Sequence, residues 1–180
     1  MTDAKNQKYE FTGEVKIVIG VELRQIRSLI AIGSIAAGTV GGWIQSEANL
    51  STLGDAWVYG DAQVYGDAQV YGNARVYGDA QVYGDAWVSG YAWVSGNARV
   101  YGNASRTPIT LNGLPHPVTI TDNHVKVGCE FHPPSVWAKR GVAIIVADGH
   151  SKENAEVWAK IINELAKTHG CIDAEVNDND

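Results

Sequence analysis

From residue 54 to 105 the chain alternates apolar and polar positions in a fixed six-residue frame: GDAWVY, GDAQVY, GDAQVY, GNARVY, GDAQVY, GDAWVS, GYAWVS, GNARVY, GNAS. Val recurs at 58, 64, 70, 76, 82, 88, 94 and 100, and Ala stands two before each Val. Gly follows two after each Val and is itself followed by Asp, Asn or, once, Tyr. Ala-x-Val is the alternation of a short strand with one face buried. Gly-Asp and Gly-Asn tolerate positive φ, so each strand predicts a corner at its end. A Gly every sixth residue excludes a helix, at a cost of about 1 kcal/mol each. Isolated hairpins of such short strands would be marginal. The remaining solution is a parallel coil of three short strands and eighteen residues per turn, with equivalent side chains stacked about 4.8 Å apart. Ala and Val then fill a thin triangular prism.

The frame extends backwards through Gly42-Trp43-Ile44 and Ala48-Asn49-Leu50, with two extra residues between Leu50 and Val58. Ten hexapeptides make about three coils, a stack roughly 15 Å tall. Open solenoid ends invite aggregation unless covered, so the flanks are predicted to be caps. This divides the chain into capping strands at 1–41, the repeat at 42–105 and a C-terminal hairpin and helix cap at 106–180. Val15, Ile17, Ile19, Val21 and Leu23 alternate as one or two strands should. Pro108 ends the ladder. An Asn-Gly signal within 110–114 and the alternation around Asp122-Asn123 predict hairpin turns. Ser151 to His169 predicts a helix, capped by Ser151, stopped by Gly170 and striped by Val157, Trp158, Ile161, Ile162 and Leu165. Residues 141–147 fit strand or helix. The uncharged stretch 28–46 is too rich in Gly and polar residues for a membrane span of roughly 20 apolar positions, and predicts a buried connection.

Composition agrees with the prism. The chain has 20 Val, 21 Ala and 20 Gly but only 7 Leu and 2 Phe, which leaves large aliphatic side chains out of the core. Of its 8 Tyr and 6 Trp, nine fall at outward positions of the repeat. Placing residues eighteen apart in columns sets Trp57, Arg75 and Trp93 beside Tyr59 and Tyr77 on one outer face. Gln63, Gln81 and Arg99 stand beside Tyr65, Tyr83 and Tyr101 on a second; Gln69 and Trp87 stand beside Tyr71 on the third. These outward residues are the predicted ligand or subunit contacts, and Arg75 is placed to stack on both neighbouring Trp rings. Expected partners are further copies of the chain, as a trimer or other homo-oligomer, then a host protein or a small planar ligand.

Net charge is −6, spread as +1 over 1–43, −4 over 44–104 and −3 over 105–180. No basic cluster is present to neutralise phosphates, so duplex nucleic acid is not an expected partner. Two cysteines are too few for a disulfide framework, and without an early apolar run a cytoplasmic location is expected. His124, Cys129 and His132 lie within nine residues and are zinc-ligand types, joined in sequence by His169 and Cys171. There is no close Cys-x-x-Cys pair, and neither metal nor other cofactor is expected. No catalytic residue is assigned; a Cys129 nucleophile would need a base beside it.

The repeat resembles the hexapeptide-repeat left-handed β-helix family, which implies a mainly β fold of that hand. Many members are acyl-CoA-dependent acyltransferases with a histidine base. Here no His precedes position 116, so only His116, His124, His132, His150 or His169 is available for that role. The motifs LRQIRSL, GTVGGWIQSEANLS and HVKVGCEFH followed by Trp137 look like small proteins of phages, prophages and bacteria, labelled transferases for their repeats. The resulting expectation is a non-catalytic binding or scaffold protein acting on a host protein or a small signalling molecule. Acyl transfer is the alternative, and sequestration of nucleotides or sugars the third reading.

Overall fold

A computed structural model of the chain describes residues 6–111 and 114–171. The chain divides into two compact units, Met1–Thr107 and Pro108–Asp180. The first holds strands β1 (Tyr9–Val18), β2 (Val21–Ser28) and β3 (Val40–Ile44), then eight two-residue strands, β4 to β11. Those eight are Trp57–Val58, Gln63–Val64, Gln69–Val70, Arg75–Val76, Gln81–Val82, Trp87–Val88, Trp93–Val94 and Arg99–Val100.

Their register confirms the predicted coil. Gln63, Gln81 and Arg99 pair in parallel, as do Trp57, Arg75 and Trp93, and Gln69 with Trp87. Every partner is eighteen residues away, and the ladder bonds run between coils: Gln63 N–H donates to Ala80 O at 2.9 Å and Tyr65 N–H to Val82 O at 3.0 Å. Every Ala and Val of the frame from Ala56 to Ala104 is buried, whereas Ala48, assigned to the same inward position by spacing, is exposed and Asn49 is buried in its place. The corner glycines from Gly54 to Gly96 have φ between 53° and 71°, the region that an L side chain rarely enters. The molecule is a mainly β protein built on a β-solenoid of about three coils.

The N-terminal strands extend one face of it. β1 pairs with β2 and β2 with β3, both antiparallel, and β3 then joins the coil in parallel through Trp43–Gln63 and Ile44–Val64. Residue 50 also keeps the frame, with Leu50 bridging Val70. Asn49 before it is buried, its Nδ2 donating to Gly66 O and Ala68 O at 2.9 and 2.8 Å. That amide satisfies carbonyls that the Asn49 backbone N–H, turned onto Ser46 O in a 3-10 turn at Glu47–Asn49, leaves unpaired.

The strands expected at the start are β1 and β2, but burial along them is uneven. Leu23 is buried, but Val15, Ile17 and Ile19 are exposed along the far end of the β1–β2 hairpin, so most of that apolar alternation faces solvent. A bulge between Phe11 and Val15 shifts the strand's register, and the hairpin turns at Ile19-Gly20 with φ of 50° and 77°. The 28–46 stretch is only partly the buried connection: Ile32 and Ile35 are buried, whereas Leu29, Ile30 and Val40 are exposed. No described helix is long and apolar enough to cross a membrane.

The second unit is an antiparallel sheet in the order β12 (Ile109–Leu111), β13 (Val118–Ile120), β14 (Val125–Val127), β15 (Glu130–His132), followed by α1 (Pro134–Ala147) and α2 (Lys152–His169). β13 and β14 form the hairpin predicted around Asp122-Asn123. The Asn-Gly signal falls at residues 112 and 113, outside the described residues. α2 is bounded as predicted: Ser151 Oγ accepts from Asn154 N–H, and Gly170 closes the helix at φ 72°. The ambiguous 141–147 run is helical, the end of a helix that starts at Pro134, where a missing N–H costs nothing. The buried face of α2 differs from the stripe. Ala155, Ala159, Ile162 and Ala166 are buried, Trp158 and Leu165 are partly so, and Val157 and Ile161 are exposed. Small residues form that face because α1 approaches closely: a Cβ at Gly141 would lie 3.5 Å from that of Ala159.

Candidate functional site

Outward columns of the solenoid behave differently from coil to coil. Trp57 was expected on the surface, yet it is fully buried. Tyr9 meets it edge-on at 6.3 Å, and Gly41 comes so near that a Cβ there would lie 2.7 Å from the indole. The N-terminal strands therefore cover the first rung of this column and remove Trp57 from the contact surface. Arg75 does not stack between the tryptophans. It donates to the Tyr59 hydroxyl, and its guanidinium lies beside Gly33 of the 29–39 loop. Cation–ring contacts occur instead at the hairpin, Lys16 over Trp43 at 4.3 Å and Arg24 over Phe11 at 4.1 Å.

Further along, the columns open. Trp87 is 50 % exposed, Trp93 51 % and Tyr91 78 %, three aromatics around one corner of the last coil. Tyr71 packs edge-on to Trp87 and Tyr77 to Trp93. Tyr65, Tyr83 and Tyr101 form the predicted ladder: Tyr65 and Tyr83 stack at 5.4 Å and 8°, and Tyr101 closes on Tyr83 at 70°. Burial, then the neighbouring Tyr83, pushes the Tyr65 hydroxyl up, opposed by the charge of Arg99. The stacked phenol rings form flat amphipathic contact area.

A second candidate lies in the C-terminal unit. A cleft of about 410 Å³ is lined by His116, Cys129, Glu130, His132, Trp137 and Asp148, with His150 and Trp158 beside them. His116 comes from the segment between β12 and β13; Asp148 caps α1, and His150 follows on the turn into α2. His116 Nε2 lies 2.6 Å and His150 Nε2 3.3 Å from the same oxygen, Asp148 Oδ2. Across the cleft His132 Nε2 meets Glu130 Oε2 at 2.7 Å.

Of the predicted metal-ligand types, Cys129 and His132 reach the cleft. His124 does not line it; its ring stacks on Phe131 at 4.2 Å because alternation sends residues 124 and 132 to different surroundings. Cys171 is buried in the core of this unit, and His169 faces Asp122 at 3.8 Å. Among the described residues, the three side chains whose ligand atoms converge are His116, Asp148 and His150. Sequence reasoning had considered His116 and His150 only as bases and had missed Asp148. The available signal was Asp148-Gly149-His150, a carboxylate and an imidazole two apart at the end of a helix.

Residues 68–80, 80–96 and 92–106 match the family model described as YdcK Beta solenoid repeat. The coils are β-solenoid repeats. The match covers the repeat alone and carries its architecture, not an activity. No curated protein matches the chain.

Proposed function

We propose that this protein is a non-catalytic β-helical scaffold that self-associates through the aromatic corner of its last coil. One observation carries the reading: equivalent positions of a single column are covered at one end and bare at the other. Trp57 is sealed by Tyr9 and the Gly41 backbone, whereas Trp93, two rungs away, is half exposed beside Trp87 and Tyr91. Exposed aromatics gathered on one coil are the composition of a contact surface. Acyl transfer is less well supported, since the coils carry no histidine and a base must reach the acceptor.

Sedimentation velocity of the full chain, with and without W87A/Y91A/W93A, tests the proposal. The expected result is a concentration-dependent assembly that the triple substitution converts to monomer with unchanged far-UV dichroism. A wild-type chain that remains monomeric at every concentration refutes it. So does an assembly that survives the substitution.

A further inference from the structure

The converging side chains of the C-terminal unit have no part in a scaffold, and their arrangement has its own chemistry. Two imidazoles and one carboxylate are the donor set of a borderline cation such as zinc. They come from two separate loops, so the juxtaposition is a product of the fold, not of a local sequence run. Each ring is held from behind. The Cγ–Nδ1 side of His116 rests on Gly128, where a Cβ would lie 3.0 Å from the ring; this leaves Nε2 as the projecting nitrogen. His150 packs edge-on against Trp158, with centroids 5.0 Å apart, and also projects Nε2.

One of the two separations already matches a metal shell. Adjacent ligands of tetrahedral zinc stand roughly 3.3 Å apart, given bonds of about 2.0–2.1 Å. His150 Nε2 and Asp148 Oδ2 are already at 3.3 Å. His116 Nε2 lies closer to the same oxygen, at 2.6 Å, and would open by a small side-chain rotation that its partial exposure permits. We infer that His116, Asp148 and His150 form a three-ligand site for a zinc-class divalent cation, with its remaining position open to the 410 Å³ cleft. Three protein ligands and an open position are the pattern of sites that hold an exchangeable water or a ligand donor atom. Cys129 and His132 line the same cleft but stand outside the converging group, so neither is a ligand.

The test uses the full chain without a histidine tag, stripped with chelator and titrated with ZnCl₂ by calorimetry and with CoCl₂ by visible absorption. One cation per chain is expected. H116Q, D148N and H150Q should each weaken binding by about tenfold or more, the loss that a missing ligand produces. C129S and H132Q should bind as the wild type does. Imidazole NMR of the unsubstituted chain gives a reading independent of any variant's folding: one equivalent of Co²⁺ broadens the rings of His116 and His150 and spares that of His124. Absence of stoichiometric binding overturns the assignment. The same follows if all three ligand variants bind normally, if C129S or H132Q abolishes binding, or if the broadened rings are others.

Discussion

The solenoid and the C-terminal unit solve the burial problem in opposite ways. In the coils a single pair of small residues repeats, so the interior of the middle rungs is Ala and Val alone, and individuality is confined to the outward position between them. In the C-terminal unit the core is one of a kind: Trp137, Ile145, Ile162 and the sheet residues Val118, Ile120 and Val125 pack once, in one geometry. Its chemistry-bearing side chains gather in a cleft where loops meet. A periodic core displays information in rows on a surface, whereas an aperiodic core creates a concavity. The two kinds of site follow from the two kinds of core.

Breaking the periodic interior should have the largest effect. Val82 is fully buried between Val64 and Val100 in its column, and Asp there would place an unpaired carboxylate in an apolar prism. V82D is expected to destabilise the solenoid by more than about 4 kcal/mol, read as lost β dichroism, while Gln69, exposed on another face of the coil, accepts the same charge with little change. Next comes the contrast within one column. W57A removes a buried indole and should cost about 3–5 kcal/mol by denaturant unfolding, against less than about 1 kcal/mol for the half-exposed Trp93. Because Trp57 Nε1 has no hydrogen-bond partner among the described residues, W57F should recover most of that loss.

Lys8 gives a smaller effect with a defined sign. Its ammonium is buried and donates to Ser51 O at 2.8 Å; burial lowers its pKa from 10.5 to about 8, opposed by Asp55. Between those values the unfolded chain binds the proton more readily, so stability rises with pH over that window, and the penalty is fully present below pH 8. The rise is bounded at about 3 kcal/mol and should vanish in K8M, as measured by urea midpoints from pH 7 to 11. The smallest change belongs to the C-terminal unit: S151A loses the oxygen that accepts from Asn154 N–H and should destabilise α2 by about 1 kcal/mol.

Periodicity explains what was legible. Val76 and Val82 could be placed inside, and Gln63, Gln81 and Arg99 in one column, since each position is fixed by eight copies of the same rule. Trp57 was misplaced because the rule describes coil against coil and says nothing of what a flanking strand lays over the first rung. The hairpin was legible as strands, but alternation in Val15, Ile17 and Ile19 shows only that they share a face, and that face is exposed. Ser151 and Gly170 were legible as local chemistry. The grouping of His116 with Asp148 and His150 was not, since it depends on two loops brought together by tertiary packing.

The column of Trp57, Arg75 and Trp93 is covered at its first rung and bare at its last, and the proposed association uses the bare end. Fluorine NMR of the 5-fluorotryptophan-labelled chain, its six resonances assigned by substitution, addresses this in one dilution series with a soluble paramagnetic agent. The account predicts that Trp87 and Trp93 relax strongly in dilute monomer and become protected as concentration rises, while Trp57 and Trp137 stay protected throughout. Trp57 as accessible as Trp93, or Trp87 and Trp93 unchanged across the series, would contradict it.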